Sequence, residues 1–158
     1  DTVAPVAWAL IIGGVAIFAI EAWTRRQPLS EALTWKVAIR VGLGQILAAV
    51  FPGTSRSAAT IFAAMLAGMT SRPAAAEFSF LVGIPTMFAA TAYEAFALHR
   101  SGKVADENWT ELGVGFVVSA FVAFVVVKWL LRYVQTHSFN PFGWYRIAVG
   151  AALDALAP

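Results

Sequence analysis

The run of residues 52–60, Pro-Gly-Thr-Ser-Arg-Ser-Ala-Ala-Thr, gathers hydroxyls around one arginine, inside sequence otherwise apolar enough for a membrane interior. A cation at bilayer depth costs about 2.5–3.5 kcal/mol on insertion scales, so it is rarely idle. Pro52-Gly53 is a turn pair, and Thr54 or Ser55 can N-cap a helix that continues through Ala58, Ala59 and Thr60. A helix start presents unpaired N–H groups and about half a positive charge. A guanidinium and several hydroxyls added there form an anion cradle suited to phosphate. Gly53, Thr54, Ser55, Arg56 and Ser57 are its candidate contacts, and Arg56 and Thr60, four apart, share a helical face. The competing reading is a capped turn whose arginine merely snorkels to the interface.

The elements that must position this motif are membrane helices. Of 158 residues, 59% are hydrophobic and 13% charged, against about 25% charged in a soluble domain. Long unbroken apolar runs exclude an outer-membrane barrel. A net charge of +2 without a basic tract gives no sign of nucleic-acid binding. Cysteine is absent, so disulfides and thiolate metal sites are excluded. The chain begins at Asp1 without an initiator Met, as a fragment would.

Transmembrane spans are expected at 2–23, 73–98, 110–133 and 142–156. Between the first two lie short apolar pieces, 37–51 and 57–69, each below the roughly 20 residues that cross a bilayer. They form either one broken crossing helix or a hairpin that enters and leaves on one side. For the hairpin, Arg25, Arg26, Lys36, Arg72, Lys128, Arg132 and Arg146 flank one face and Arg100 and Lys103 the other. A crossing moves four of the seven to the other side. The positive-inside rule favours the lopsided distribution, with the rich side cytoplasmic.

The fold class is therefore an all-α integral membrane protein with a re-entrant hairpin over 37–69 and its tip at 52–57. Irregular backbone at membrane depth must be enclosed by protein or line a wet cavity. Small residues on both arms, among them Gly42, Gly44, Ala48, Ala59 and Ala63, allow the arms to approach. Such broken helices often come as inverted repeats, and this chain holds only one, so it represents one half of that architecture.

Other polar residues are weaker candidates. Gln45 is a supporting residue that either braces the tip or bonds a neighbouring helix. Glu77, near the start of the third span, is read as solvated or paired with the helix dipole. Glu21 and Glu94, His99 and His137 fall near span ends, where interfacial solvation is expected. No His, Asp or Glu pair has metal-ligand spacing. Gly83 and Pro85 are expected to kink their span. Trp23, Trp109, Trp129, Tyr133, Trp144 and Tyr145 read as interface anchors.

Gly44-Gln45, the PG-x-SRS block, Glu77-Phe78-Ser79-Phe80 with Pro85, and Ser138-Phe139-Asn140-Pro141-Phe142 with Tyr145-Arg146 together carry a resemblance. Over essentially its whole length the chain resembles the undecaprenyl-diphosphate phosphatases, the bacitracin-resistance-type membrane phosphatases of bacteria. The resemblance implies hydrolysis of undecaprenyl diphosphate to the monophosphate, in two interlocked repeats with the site open to the outer face of the plasma membrane. Arg56 matches the phosphate-binding arginine, and Ser55 and Thr60 match motif hydroxyls.

The glutamate-bearing motif, serine-rich turn and histidine of the family's first repeat are missing here. The chain is similar to the C-terminal part of a longer protein, and alone it should lack a complete site. The nucleophile, its base and the carboxylates for a divalent cation (Mg or Ca) are then expected outside this chain. Ser55 as nucleophile has no local base. Expected partners are a polyprenyl diphosphate, the membrane, the N-terminal half and a second copy of the chain. A lipid flippase could use the same arginine without hydrolysis. The other common lipid phosphatase type needs a histidine about six residues after its arginine, where this chain has Phe62.

Overall fold

Six helices and no strand form among the described residues of the computed structural model, which are 4–51, 53–102 and 108–156. Pro52 of the tip, and Lys103, Asp106 and Glu107 of the polar loop expected at 99–109, lie outside them. The helices are α1 (Ala4–Thr24), α2 (Trp35–Val50), α3 (Arg56–Leu66), α4 (Arg72–Arg100), α5 (Trp109–Thr136) and α6 (Asn140–Leu156). By length and composition α1, α4 and α5 can each cross a membrane. The expected span at 142–156 is a helix beginning slightly earlier, and its 17 residues leave it shorter than those three.

Local chemistry sets the starts. The Thr34 hydroxyl accepts from Val37 N–H, the Ser55 hydroxyl from Ala58 N–H and the Asn108 side chain from Glu111 N–H, each at 3.3 Å. Of the two candidate caps for α3, Ser55 takes the role. Helix α4 runs unbroken through Pro85, where the Thr86 hydroxyl donates to the Gly83 carbonyl at 2.8 Å.

α2 and α3 form a hairpin whose two ends meet. Ser30 N–H donates to the Thr70 hydroxyl at 2.8 Å, Ser71 N–H to the Ser30 carbonyl at 3.0 Å, and the Thr70 hydroxyl to the Pro28 carbonyl at 2.6 Å. Arg40 donates to the Leu66 carbonyl at 2.8 Å, satisfying one of the orphan carbonyls that end α3. Gly44 is where the arms touch: a Cβ there would stand 3.0 Å from the Ala59 carbonyl oxygen.

The densest packing joins α1 and α6, a pairing the sequence reading does not foresee. The two run antiparallel through small residues. A Cβ on Gly150 would lie 2.8 Å from the Ala7 carbonyl, and one on Gly14 2.8 Å from the Gly143 carbonyl. Only small residues let helix backbones come this close.

Glu21 corrects the expectation of an interfacial, solvated carboxylate. It is 1% exposed and takes a fork of bonds from Arg72, Nε at 2.9 Å and Nη2 at 2.6 Å. The Phe139 N–H adds a third donor at 2.8 Å. One carboxylate thus ties the end of α1 to the starts of α4 and α6. Burial is tolerable because three charge-assisted or backbone donors replace the lost water. Around this knot Val37, Val41, Ile61, Phe62, Met65, Val134 and Phe139 form the core, with Phe62 and Phe139 edge to face at 5.4 Å.

Candidate functional site

The tip is pressed against α1. Gly53 has φ +84°, and a Cβ there would meet Ala9 Cβ at 3.1 Å and Val6 Cα at 3.2 Å, so glycine is required on both counts. Ala9 precedes Thr24 by roughly fifteen residues, which at 1.5 Å per residue puts the tip about 22 Å from the Arg25-Arg26 end of the bundle.

Arg146 fixes it there. From α6 its Nη2 donates to the carbonyls of Gly53 and Ala9, both at 3.3 Å, with the guanidinium lying across Gly13. Its Nε is buried without a partner. Arg146 therefore does not belong among the flanking cations of the sequence reading, and six remain against two. The signal was its place well inside an apolar helix, two turns past Asn140.

The motif side chains divide between cavities. Arg56, Ser57 and Thr60 line a cavity of about 840 Å³ between α2, α3, α4 and α5, together with Gln45, Glu77 and Ser79. Thr54 and Ser55 instead line a largely apolar cavity of about 670 Å³ between α1 and the hairpin, with Arg146 and Arg40. Arg56, Ser57, Thr60 and Gln45 thus share one cavity and Thr54 and Ser55 another, while Ser55 and Ser57 both line a smaller third cavity of about 210 Å³. Gly53 shapes the turn.

Arg56 is exposed to its cavity, and its single hydrogen bond is from Nη2 to the Met87 thioether at 2.7 Å. A thioether is a weak acceptor that brings no charge. Among the described residues the one ion pair is Glu21–Arg72, so Arg56 has no anionic partner. Thr60, almost fully buried, donates its hydroxyl to the Arg56 carbonyl at 2.9 Å and the Ser57 carbonyl at 3.1 Å. Its proton is used within the first turn of α3, which it stiffens beneath Arg56. The Ser55 hydroxyl accepts from Ala58 N–H and lies 3.3 Å from the Ser57 hydroxyl.

Two α4 residues join the site that sequence reasoning left aside. Glu77 stands on the cavity wall, and Ser79 is buried in that wall with no partner for its hydroxyl. The stripe Glu77, Phe80, Ile84 and Met87 has helical spacing and could have placed Glu77 on the face that meets Arg56. Among the described residues no three His, Asp or Glu side chains gather as a metal cage.

Three membrane-length helices, with an arginine on the wall of the cavity between two of them and the hairpin, define a helical membrane protein. The family profile described as Bacitracin resistance protein BacA matches residues 1–152, and the chain belongs to that family. It is 57% identical over 153 residues to an undecaprenyl-diphosphatase of Xylella fastidiosa, covering 97% of this chain and 59% of the relative. Against the undecaprenyl-diphosphatase of Rhizobium johnstonii it is 58% identical, covering 99% of this chain and 59% of that relative. The chain thus spans about three fifths of the length of these relatives.

Proposed function

We propose that this chain supplies the phosphate-binding half of an undecaprenyl-diphosphate phosphatase, recycling the lipid carrier of cell-wall synthesis. The observation that carries the reading is Arg56, an arginine without an anionic partner, presented by the first turn of a capped helix to a cavity of about 840 Å³. The names of the relatives support the substrate. Hydrolysis adds water to the terminal phosphorus, breaks its bond to the bridging oxygen and leaves the lipid monophosphate and free phosphate.

In this reading Arg56 grips the terminal phosphoryl group through its planar fork and stabilises the charge on its equatorial oxygens. Ser57 adds a hydroxyl and Gln45 an amide from α2. The nucleophile and its base come from the segment of the relatives that this chain does not span. The N-terminal half, joined in an inverted repeat, is accordingly its first protein partner. The tip's distance from the Arg25-Arg26 end, with six flanking cations on that side, supports a re-entrant hairpin whose site opens to the outer face of a bacterial plasma membrane.

Arg56→Ala in the full-length protein should lower phosphate release from undecaprenyl diphosphate by at least about a hundredfold, as for other lost transition-state donors. The elution profile and helix content should be unchanged. Arg56→Lys should remain severely impaired, since a point charge replaces a fork. Near-normal turnover of Arg56→Ala would refute the assignment. Lipid transfer between leaflets without phosphate release would establish the flippase reading instead.

A further inference from the structure

The Arg56 cavity contains a carboxylate, and that creates an electrostatic problem for any phosphate ligand. Glu77 lines the same cavity as Arg56, yet no ion pair joins them and Glu77 has no partner among the described residues. The walls are largely apolar (Phe80, Leu81, Ile84, Phe88), with Glu77 and Arg56 both exposed to the cavity. A diphosphate held by Arg56 would be repelled by Glu77 unless a cation stood between them.

The donor set fits a hard cation. Glu77 offers a carboxylate, Gln45 an amide oxygen, and Ser57, Thr60 and Ser79 hydroxyl oxygens, with no thiolate or imidazole on the wall. Oxygen donors of this kind select Mg²⁺, Ca²⁺ or Mn²⁺ over zinc or copper. The Ser79 hydroxyl, buried and without a partner, is a further unsatisfied oxygen in the same wall. One carboxylate does not make a cage by itself. Mg²⁺, however, keeps several waters and is commonly held by one or two carboxylates together with the phosphates of its ligand.

We propose that Glu77 is this chain's own ligand to a divalent cation that enters with the phosphate group bound by Arg56. The inference rests on Arg56 as the phosphate-binding residue, and it places one metal ligand on α4 beside those expected from the absent half. When bound, the cation neutralises phosphate charge. Glu77 anchors it on the side of the cavity facing the arginine, which orients the phosphate between the two.

The test is calorimetric titration of the full-length protein in detergent with methylenediphosphonate, with and without Mn²⁺. Electron paramagnetic resonance of the Mn²⁺ gives a second readout independent of turnover. In the wild type Mn²⁺ should tighten methylenediphosphonate binding at least about tenfold, in the range that metal-site perturbations reach. Glu77→Gln should abolish that tightening and leave metal-free binding at least as tight, because a repelling charge is gone. Glu77→Asp should keep part of it, and serves as the test if the Gln variant does not fold. Full Mn²⁺ tightening in either variant, or none in the wild type, overturns the proposal. Unchanged metal-free binding by Arg56→Gln instead overturns the phosphate assignment on which it rests.

Discussion

Helices α1 and α6 on one side, and α4 and α5 on the other, are both apolar pairs, yet they are held in opposite ways. The first pair approaches backbone to backbone at Gly14, Gly143 and Gly150 and is knotted at one end by buried Glu21. Along α5 the one fully buried residue is Val134, and Phe116, Phe121 and Phe124 are each about 70% exposed. Lipid tails are as apolar as leucine, so hydrophobicity alone cannot bring membrane helices together. Close approach and buried polar contacts do, and α1–α6 has both. The α4–α5 side keeps its large apolar side chains free for lipid or further protein, and the Arg56 cavity opens between it and the hairpin.

This contrast is most severely tested at Glu21. Glu21→Ala strands the Arg72 guanidinium and the Phe139 N–H, and should cost about 3–5 kcal/mol of stability, as for a broken buried pair. Thermal unfolding in detergent measures it, and a loss under about 1 kcal/mol would make the knot incidental. Arg146→Gln should come next. It frees the Gly53 carbonyl from α6, and displacement of the tip by even 1 Å should lower phosphate release by up to about a hundredfold. Its stability should fall less than that of Glu21→Ala.

Gly150→Val forces side-chain atoms into the Ala7 carbonyl and should cost about 1–3 kcal/mol by overpacking. Phe121→Ala on the open side should stay within about 0.5 kcal/mol in detergent. If Phe121→Ala proved as damaging as Gly150→Val, α5 would have a packed partner and the contrast between the two sides would fail.

The fold class was readable because apolar run length is a direct record of bilayer thickness. Two short helices were readable from apolar pieces below the length of a crossing, and the chain flanking the α2–α3 hairpin closes at Ser30 and Thr70. The α1–α6 pairing was missed although Ala7 and Gly14, like Gly143 and Gly150, are seven apart on one helix face; 118 residues also separate Glu21 from Phe139. A separation of 51 residues hid Arg72 as the partner of Glu21, since a span-end carboxylate looks alike whether it faces water or a remote arginine. In the candidate site, Arg56, Ser57, Thr60 and Gln45 line one cavity. Thr54 and Ser55 line the neighbouring cavity beside α1, although the Ser55 hydroxyl stays within 3.3 Å of that of Ser57. Glu77 was passed over because its position near a helix start already had a sufficient dipole explanation.

The bond from Arg146 to Gly53 spans 93 positions of the chain and comes from the last helix. Translation delivers the tip 93 residues before the arginine that seats it, so the turn is made before its anchor. Seating of the tip therefore waits for α6. A chain stopped before α6 would insert its other helices and still hold the Gly53 carbonyl without its arginine.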